Sequence, residues 1–172
     1  NLADIEGKTP LFCAAFKGHT AVVEKLLKKK GILVNQATQD GRTPLVVAAY
    51  EGHTATVEIL LAREGILVNQ ATEDGRTALA AAAVKGHTAI VVKLMKEESI
   101  DVNQATEDGR TALFIAAYKG HTAIVKKLLD KESIDVNQAN KDGKTPLDVA
   151  AFQGHTAIVK TLLAKEGVDV NQ

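Results

Sequence analysis

Cysteine is almost absent from this 172-residue chain: Cys13 stands alone. A single thiol excludes an internal disulfide and any cysteine-based zinc knuckle. It also points to a reducing, intracellular and cytoplasmic setting. Tryptophan is missing, and the aromatics are four Phe and two Tyr, so the core is not built on large rings. Neither sign of charge is in excess, with 21 Lys and Arg against 21 Asp and Glu. General polyanion binders are usually strongly basic, so a nucleic-acid partner is not expected. Long apolar runs are lacking too, and none approaches the roughly 20 residues of a membrane-spanning helix. There is no basic-then-apolar leader and no initiator Met, which reads as a mature or excised segment.

What is present is periodic. Glu6-Gly7-Lys8-Thr9 returns as Asp40-Gly41-Arg42-Thr43, Asp74-Gly75-Arg76-Thr77, Asp108-Gly109-Arg110-Thr111 and Asp142-Gly143-Lys144-Thr145, each step being 34 residues. Gly-His-Thr returns at the same step, so that His19, His53, His87, His121 and His155 form one column. All 13 Gly fall in three columns and all 3 Pro in one. The chain is five periods plus two residues, a single array with units at approximately 1–34, 35–68, 69–102, 103–136 and 137–172.

One unit reads as two short helices. Asp40-Gly41 signals a turn. Thr43 is a side-chain cap and Pro44 suits a first helical position, predicting a helix over 45–50 that Gly52 stops. His53-Thr54 opens a second helix, whose Ala55, Val57, Leu60 and Leu61 are spaced for one apolar face. Gly65 is expected to end it, and 66–69 to return extended to the next turn. Such a unit has no closed core by itself. Stacked, the columns Leu11/45/79/113/147, Ala14/48/82/116/150 and Leu26/60/94/128/162 make a continuous one. The Ala-Ala pairs let neighbouring helices approach closely, and a larger residue there would overpack at a cost of about 1–3 kcal/mol.

The pattern Asp-Gly-Arg-Thr-Pro-Leu, Ala-Ala, Gly-His-Thr, Val, Leu-Leu, Gly and Val-Asn resembles the ankyrin repeat over the whole chain, in five units. The resemblance implies an all-α solenoid of stacked helix-turn-helix units with short β-hairpin fingers, binding a protein partner without catalysis or cofactor. Two departures stand out. The family's His after Thr-Pro-Leu is replaced by Phe12, Val46, Ala80, Phe114 and Asp148, and the period is 34 where the family has 33. The extra residue aligns near Arg63-Glu64, away from the binding side. The resemblance also implies that Asn103 and Asn137, in Asp-Val-Asn contexts, are candidates for hydroxylation.

Chemical alternatives are weaker than structural ones. Five His at one per unit stand too far apart to share a zinc ion, so no metal site is expected. Cys13 shares a column with Val47, Ala81, Ile115 and Val149 and reads as a small apolar filler. The Asp column is turn chemistry. Asp148 breaks its column and is either a specificity contact or a solvated substitution. Lys28-Lys29-Lys30 reads as a solvated helix end.

Columns that vary between units are free of stacking demands. The position after Ala-Ala reads Phe16, Tyr50, Val84, Tyr118 and Phe152, and the next reads Lys17, Glu51, Lys85, Lys119 and Gln153. In the resembled family these line the concave groove with the positions flanking the turn Gly: Gln39, Glu73, Glu107 and Lys141 before it, Arg42, Arg76, Arg110 and Lys144 after it. The adjacent column of Phe12, Val46, Ala80, Phe114 and Asp148 is expected to add to the same binding surface. Aromatics on a rigid surface are typical interface anchors, and these also serve as shields at the core edge. The small residues of the third unit predict one shallow apolar dip at mid-groove, between Tyr50 and Tyr118. Both ends carry interior-type residues, Val22 and Leu26 at one and Ile158 and Leu163 at the other. The array is therefore read either as part of a longer one or as a unit that associates head to tail. Besides partner binding, a spacer role and a designed or consensus-like scaffold are open readings.

Overall fold

A computed structural model describes residues 3–171. Among the described residues ten helices run in five pairs: α1 Pro10–Phe16 with α2 Thr20–Leu27, α3 Pro44–Glu51 with α4 Thr54–Leu61, α5 Ala78–Lys85 with α6 Thr88–Leu94, α7 Ala112–Lys119 with α8 Thr122–Leu129, and α9 Pro146–Phe152 with α10 Thr156–Leu163. The first helices α1, α3, α5, α7 and α9 pack on one another in one row, and the second helices pack in another. The result is a two-layered all-α solenoid with no single centre.

Local chemistry sets the helix ends. Each first helix begins at a buried Thr whose Oγ1 accepts from the N–H three residues on, as Thr43 does from Val46 at 3.2 Å. Gly52 stops α3 in the left-handed region, at φ 84°, where a side chain would be strained. The second helix of the same pair ends at Leu61 with Ala62 as its cap. Leu61 is four residues before Gly65, which instead turns the following loop at φ 77°.

The core is a row of small and branched residues. Ala48, Ala49, Ala82, Ala83, Ala116 and Ala117 are 0% exposed, so the first-helix row packs almost backbone to backbone. Leu60, Leu94 and Leu128 fill the space between the two layers. Thr56 replaces the Ile of its column and is fully buried; its hydroxyl meets that of Thr20 at 3.2 Å.

Two polar ladders run along the stack. In the loops after the second helices, Asn35, Asn69, Asn103 and Asn137 each clamp the loop of the following pair. Asn103 Nδ2 donates to the Ser133 carbonyl at 2.6 Å and its Oδ1 accepts from Asp135 N–H at 2.9 Å. At the turns on the opposite edge, one backbone bond joins each turn to the next, such as Glu73 N–H to the Asp40 carbonyl at 3.1 Å. The expected β-hairpin fingers are not strands among the described residues. Gly41 N–H already donates to Thr38 and Thr38 N–H to Arg42, so the turn closes before its arms reach ladder length.

Candidate functional site

The turns project past the starts of the first helices and leave hollows between the two. One of about 480 Å³ lies among Tyr50, Ala81 and the turns at Asp40 and Asp74. A second of about 350 Å³ is bordered by Val84, Tyr118 and the turns at Asp74 and Asp108. A third of about 520 Å³ lies among Tyr118, Asp148 and Phe152. The expected single dip at mid-groove is therefore divided. The turn carrying Asp74 and Arg76 borders both of the first two hollows and separates them.

The aromatic column stands along this groove with graded exposure. Tyr50 and Val84 are half-buried, Phe16 and Tyr118 are 36% and 41% exposed, and Phe152 is 81% exposed. The following column is exposed throughout: Lys17, Glu51, Lys85, Lys119 and Gln153. Lys85 reaches across to the neighbouring pair and sets its ammonium 4.5 Å from the Tyr50 ring centre. Lys17 and Lys119 lean over their own neighbours Phe16 and Tyr118. At the turn tips Gln39, Glu73, Glu107, Lys141, Arg76, Arg110 and Lys144 are exposed, and Arg42 is half-buried.

Four residues expected at the surface are not there. Phe12, Val46, Ala80 and Phe114 are 2% to 4% exposed and belong to the core. Their column is the third position of the first helix, and the turn folds back over it; Arg110 holds its guanidinium 5.8 Å from the Phe114 ring centre. Asp148, in the same column, is engaged at home. Its Oδ2 accepts from the Thr145 N–H at 2.8 Å and from the Thr145 hydroxyl at 2.7 Å, closing a capping box. Cys13 is exposed rather than a filler, because its column packs on the preceding pair and no pair precedes α1 among the described residues.

The turn electrostatics are local. Asp40 pairs with Arg42 at 2.7 Å and Asp108 with Arg110 at 2.9 Å. The Thr38 hydroxyl donates to Asp40, and the Thr106 hydroxyl to Asp108, both at 2.5 Å. These hydroxyls foremost, and then the Arg charges against some desolvation, hold both carboxyls below the usual carboxylate range. The rim thus holds internally neutralised pairs at Asp40–Arg42, Asp74–Arg76 and Asp108–Arg110.

Sequence reasoning missed the group that fixes the aromatic column. Four of the five His rings reach back one pair to the carbonyl of an aromatic-column residue: His53 to Phe16 at 3.0 Å, His87 to Tyr50 at 3.0 Å, His121 to Val84 at 3.4 Å and His155 to Tyr118 at 3.2 Å. A carbonyl only accepts, so Nε2 carries the proton. The constant spacing of 37 residues was the signal available in the sequence. No helix among the described residues is long and apolar enough to cross a membrane. In the described part of the chain no three His, Cys, Asp or Glu side chains come together as a metal-binding group.

A family model described as ankyrin repeats (3 copies) matches residues 1–72, 32–106, 64–140 and 91–172. A search of curated proteins finds no match.

Proposed function

Because this chain belongs to the ankyrin-repeat family, whose repeats are in general protein–protein interaction modules, we propose that it is a non-catalytic module. It binds a protein partner in the groove between the first-helix row and the turn tips. The observation that carries this reading is the row of aromatics Phe16, Tyr50, Tyr118 and Phe152 beside the hollows, the first three on a backbone fixed by the His ring of the following pair. Rings on a pre-organised surface lose little freedom on binding, and Tyr both packs and hydrogen-bonds.

The contact set under this proposal is Phe16, Lys17, Tyr50, Glu51, Val84, Lys85, Tyr118, Lys119, Phe152 and Gln153 with the turn residues Gln39, Arg42, Glu73, Arg76, Glu107, Arg110, Lys141 and Lys144. The test is affinity capture with the chain as bait, repeated with Tyr50→Ala plus Tyr118→Ala. Loss of captured partner with helix content intact supports the reading. Loss of helix content would assign the two rings to packing, and unchanged capture would move the site elsewhere. Hydroxylation of Asn103 or Asn137 is a separate proposal carried by the family resemblance. The intact mass of the protein from its native source tests it, one added oxygen being the expected sign.

A further inference from the structure

We propose that the first hollow of the groove takes a cationic side chain, arginine or lysine, of the bound protein segment, and that Glu51 sets this preference. The inference rests on the groove reading and names the chemistry that one part of the groove selects. Its ground is a comparison of two hollows in the same molecule that share their build and differ in charge.

Asp40, Arg42 and Tyr50 line the first hollow, and two periods on Asp108, Arg110 and Tyr118 line the second. Glu51 of the first recurs as Lys119 of the second, the one shared lining column that changes charge. The turn charges cancel in both: Asp40 pairs with Arg42 at 2.7 Å, Asp74 with Arg76 at 3.3 Å and Asp108 with Arg110 at 2.9 Å. What is left decides the character of each hollow. The first keeps two carboxylates, Glu51 at the end of α3 and Glu73 on the facing turn. Both are exposed, and neither has an ion pair among the described residues. The second keeps Glu107 and Lys119, one of each sign.

The rings of the first hollow suit the same ligand. Phe16 and Tyr50 both line it, and each carries an ammonium group of this chain, Lys17 at 5.2 Å and Lys85 at 4.5 Å from the ring centre. Ring faces attract cations through their quadrupole. Neither Lys lines the hollow itself, whose volume of about 480 Å³ has room for a long basic side chain. The apolar walls of Val46, Val47 and Ala81 suit its hydrocarbon stem.

Glu51 is also a poor choice for its own helix. The last turn of a helix favours a cation, and α5 and α7 end in Lys85 and Lys119, whereas α3 ends in Glu51. A residue that breaks a local rule kept by its column mates marks a functional position.

The test uses isotope-labelled chain at low ionic strength and two small probes. One is N-acetylarginine methylamide; the other is its neutral isostere, N-acetylcitrulline methylamide, with salt added to match. Backbone amide NMR shifts should move at Tyr50, Glu73 and Ala81 with the arginine probe, and much less with citrulline. Glu51→Gln should weaken the arginine probe about twofold to fivefold, the range of an exposed ion pair. Glu51→Lys should abolish the preference while the thermal midpoint holds or rises, since the helix end gains a cation. Lys119→Glu should create the same preference at the second hollow, read at Phe114 and Tyr118. Equal responses to the two probes overturn the proposal. So does an undiminished preference in Glu51→Lys, or a second hollow that stays silent in Lys119→Glu. The groove reading is judged separately, by whether Tyr50→Ala plus Tyr118→Ala loses the captured partner, so either reading can fail without the other.

Discussion

His87 Nε2 donates to the backbone carbonyl of Tyr50 at 3.0 Å, linking the start of α6 to the end of α3 in the preceding pair. The same ring lies against Gly52, where an added Cβ would stand 2.6 Å from it. One side chain therefore satisfies a helix-end carbonyl, packs on the glycine that stops that helix, and fixes the backbone beneath a groove aromatic.

Replacing His87 with Ala leaves the Tyr50 carbonyl without that donor. The expected loss is about 0.5–1.5 kcal/mol for the hydrogen bond, with the Tyr50 ring less firmly placed. His19→Ala is the control, since that ring is exposed and reaches no carbonyl among the described residues. Urea unfolding should move the midpoint for His87→Ala and leave that of His19→Ala nearly unchanged. Equal effects would refute the linking role.

Gly52→Ala combines two costs that Gly154→Ala separates. Both glycines sit at positive φ, 84° and 72°, where a Cβ costs roughly 1–2 kcal/mol. Only Gly52 faces a His ring, so its substitution should cost about 1–3 kcal/mol more through overpacking. Thermal unfolding of the pair of variants measures the difference.

Asn103→Ala removes both hydrogen bonds of one clamp, to Ser133 and Asp135. At about 0.5–1.5 kcal/mol each, the expected destabilisation is roughly 1–3 kcal/mol. Because stability in a repeat array is a sum of units and nearest-neighbour terms, the loss should weaken the coupling of α7 and α8 to the pair before them. Hydrogen exchange should show faster exchange in the loop around residues 131–136 and little change in α1 and α2.

Acid should remove the contribution of the turn carboxylates. The Asp108 carboxyl is held below its usual range, first by the Thr106 hydroxyl and then by Arg110. A folded value below the unfolded one, about 3.9, gives stability that is present above that value and lost as pH falls through the folded one. Thr106→Val abolishes the hydroxyl's share. Its deficit against the unmodified chain should be largest near neutral pH and shrink below about pH 4. A pH-independent remainder should persist, because Arg110 N–H also donates to the Thr106 oxygen, at 3.1 Å.

The unit itself was legible because its determinants are close in sequence. Thr43 caps a helix three residues away, Pro44 supplies its first position, and Gly52 ends it. Such choices depend on one turn of chain and need no partner. The column assignments of Leu, Ala and Val were legible for a related reason, since a residue repeated at every period answers the same demand each time.

Burial was another matter, because it depends on what stands one unit away. Cys13, Ala151 and Phe152 share columns with buried or half-buried residues, yet each is exposed, because no further pair lies against it among the described residues. Phe12, Val46, Ala80 and Phe114 sit in a variable column and are still buried, since the turn folds over the helix start. Asp148 turned inward to Thr145, a partner within its own helix start. The period determined by itself that there are five helix pairs, where the helices start and where the first of each pair stops, and which columns face a neighbour. The tertiary stack alone decided which of those faces are covered, how the turns divide the groove, and that the rings of His53, His87, His121 and His155 each reach a carbonyl 37 residues back. Periodicity fixes what repeats, but burial and hydrogen bonding across a junction depend on the distance and angle between units, which no local signal encodes.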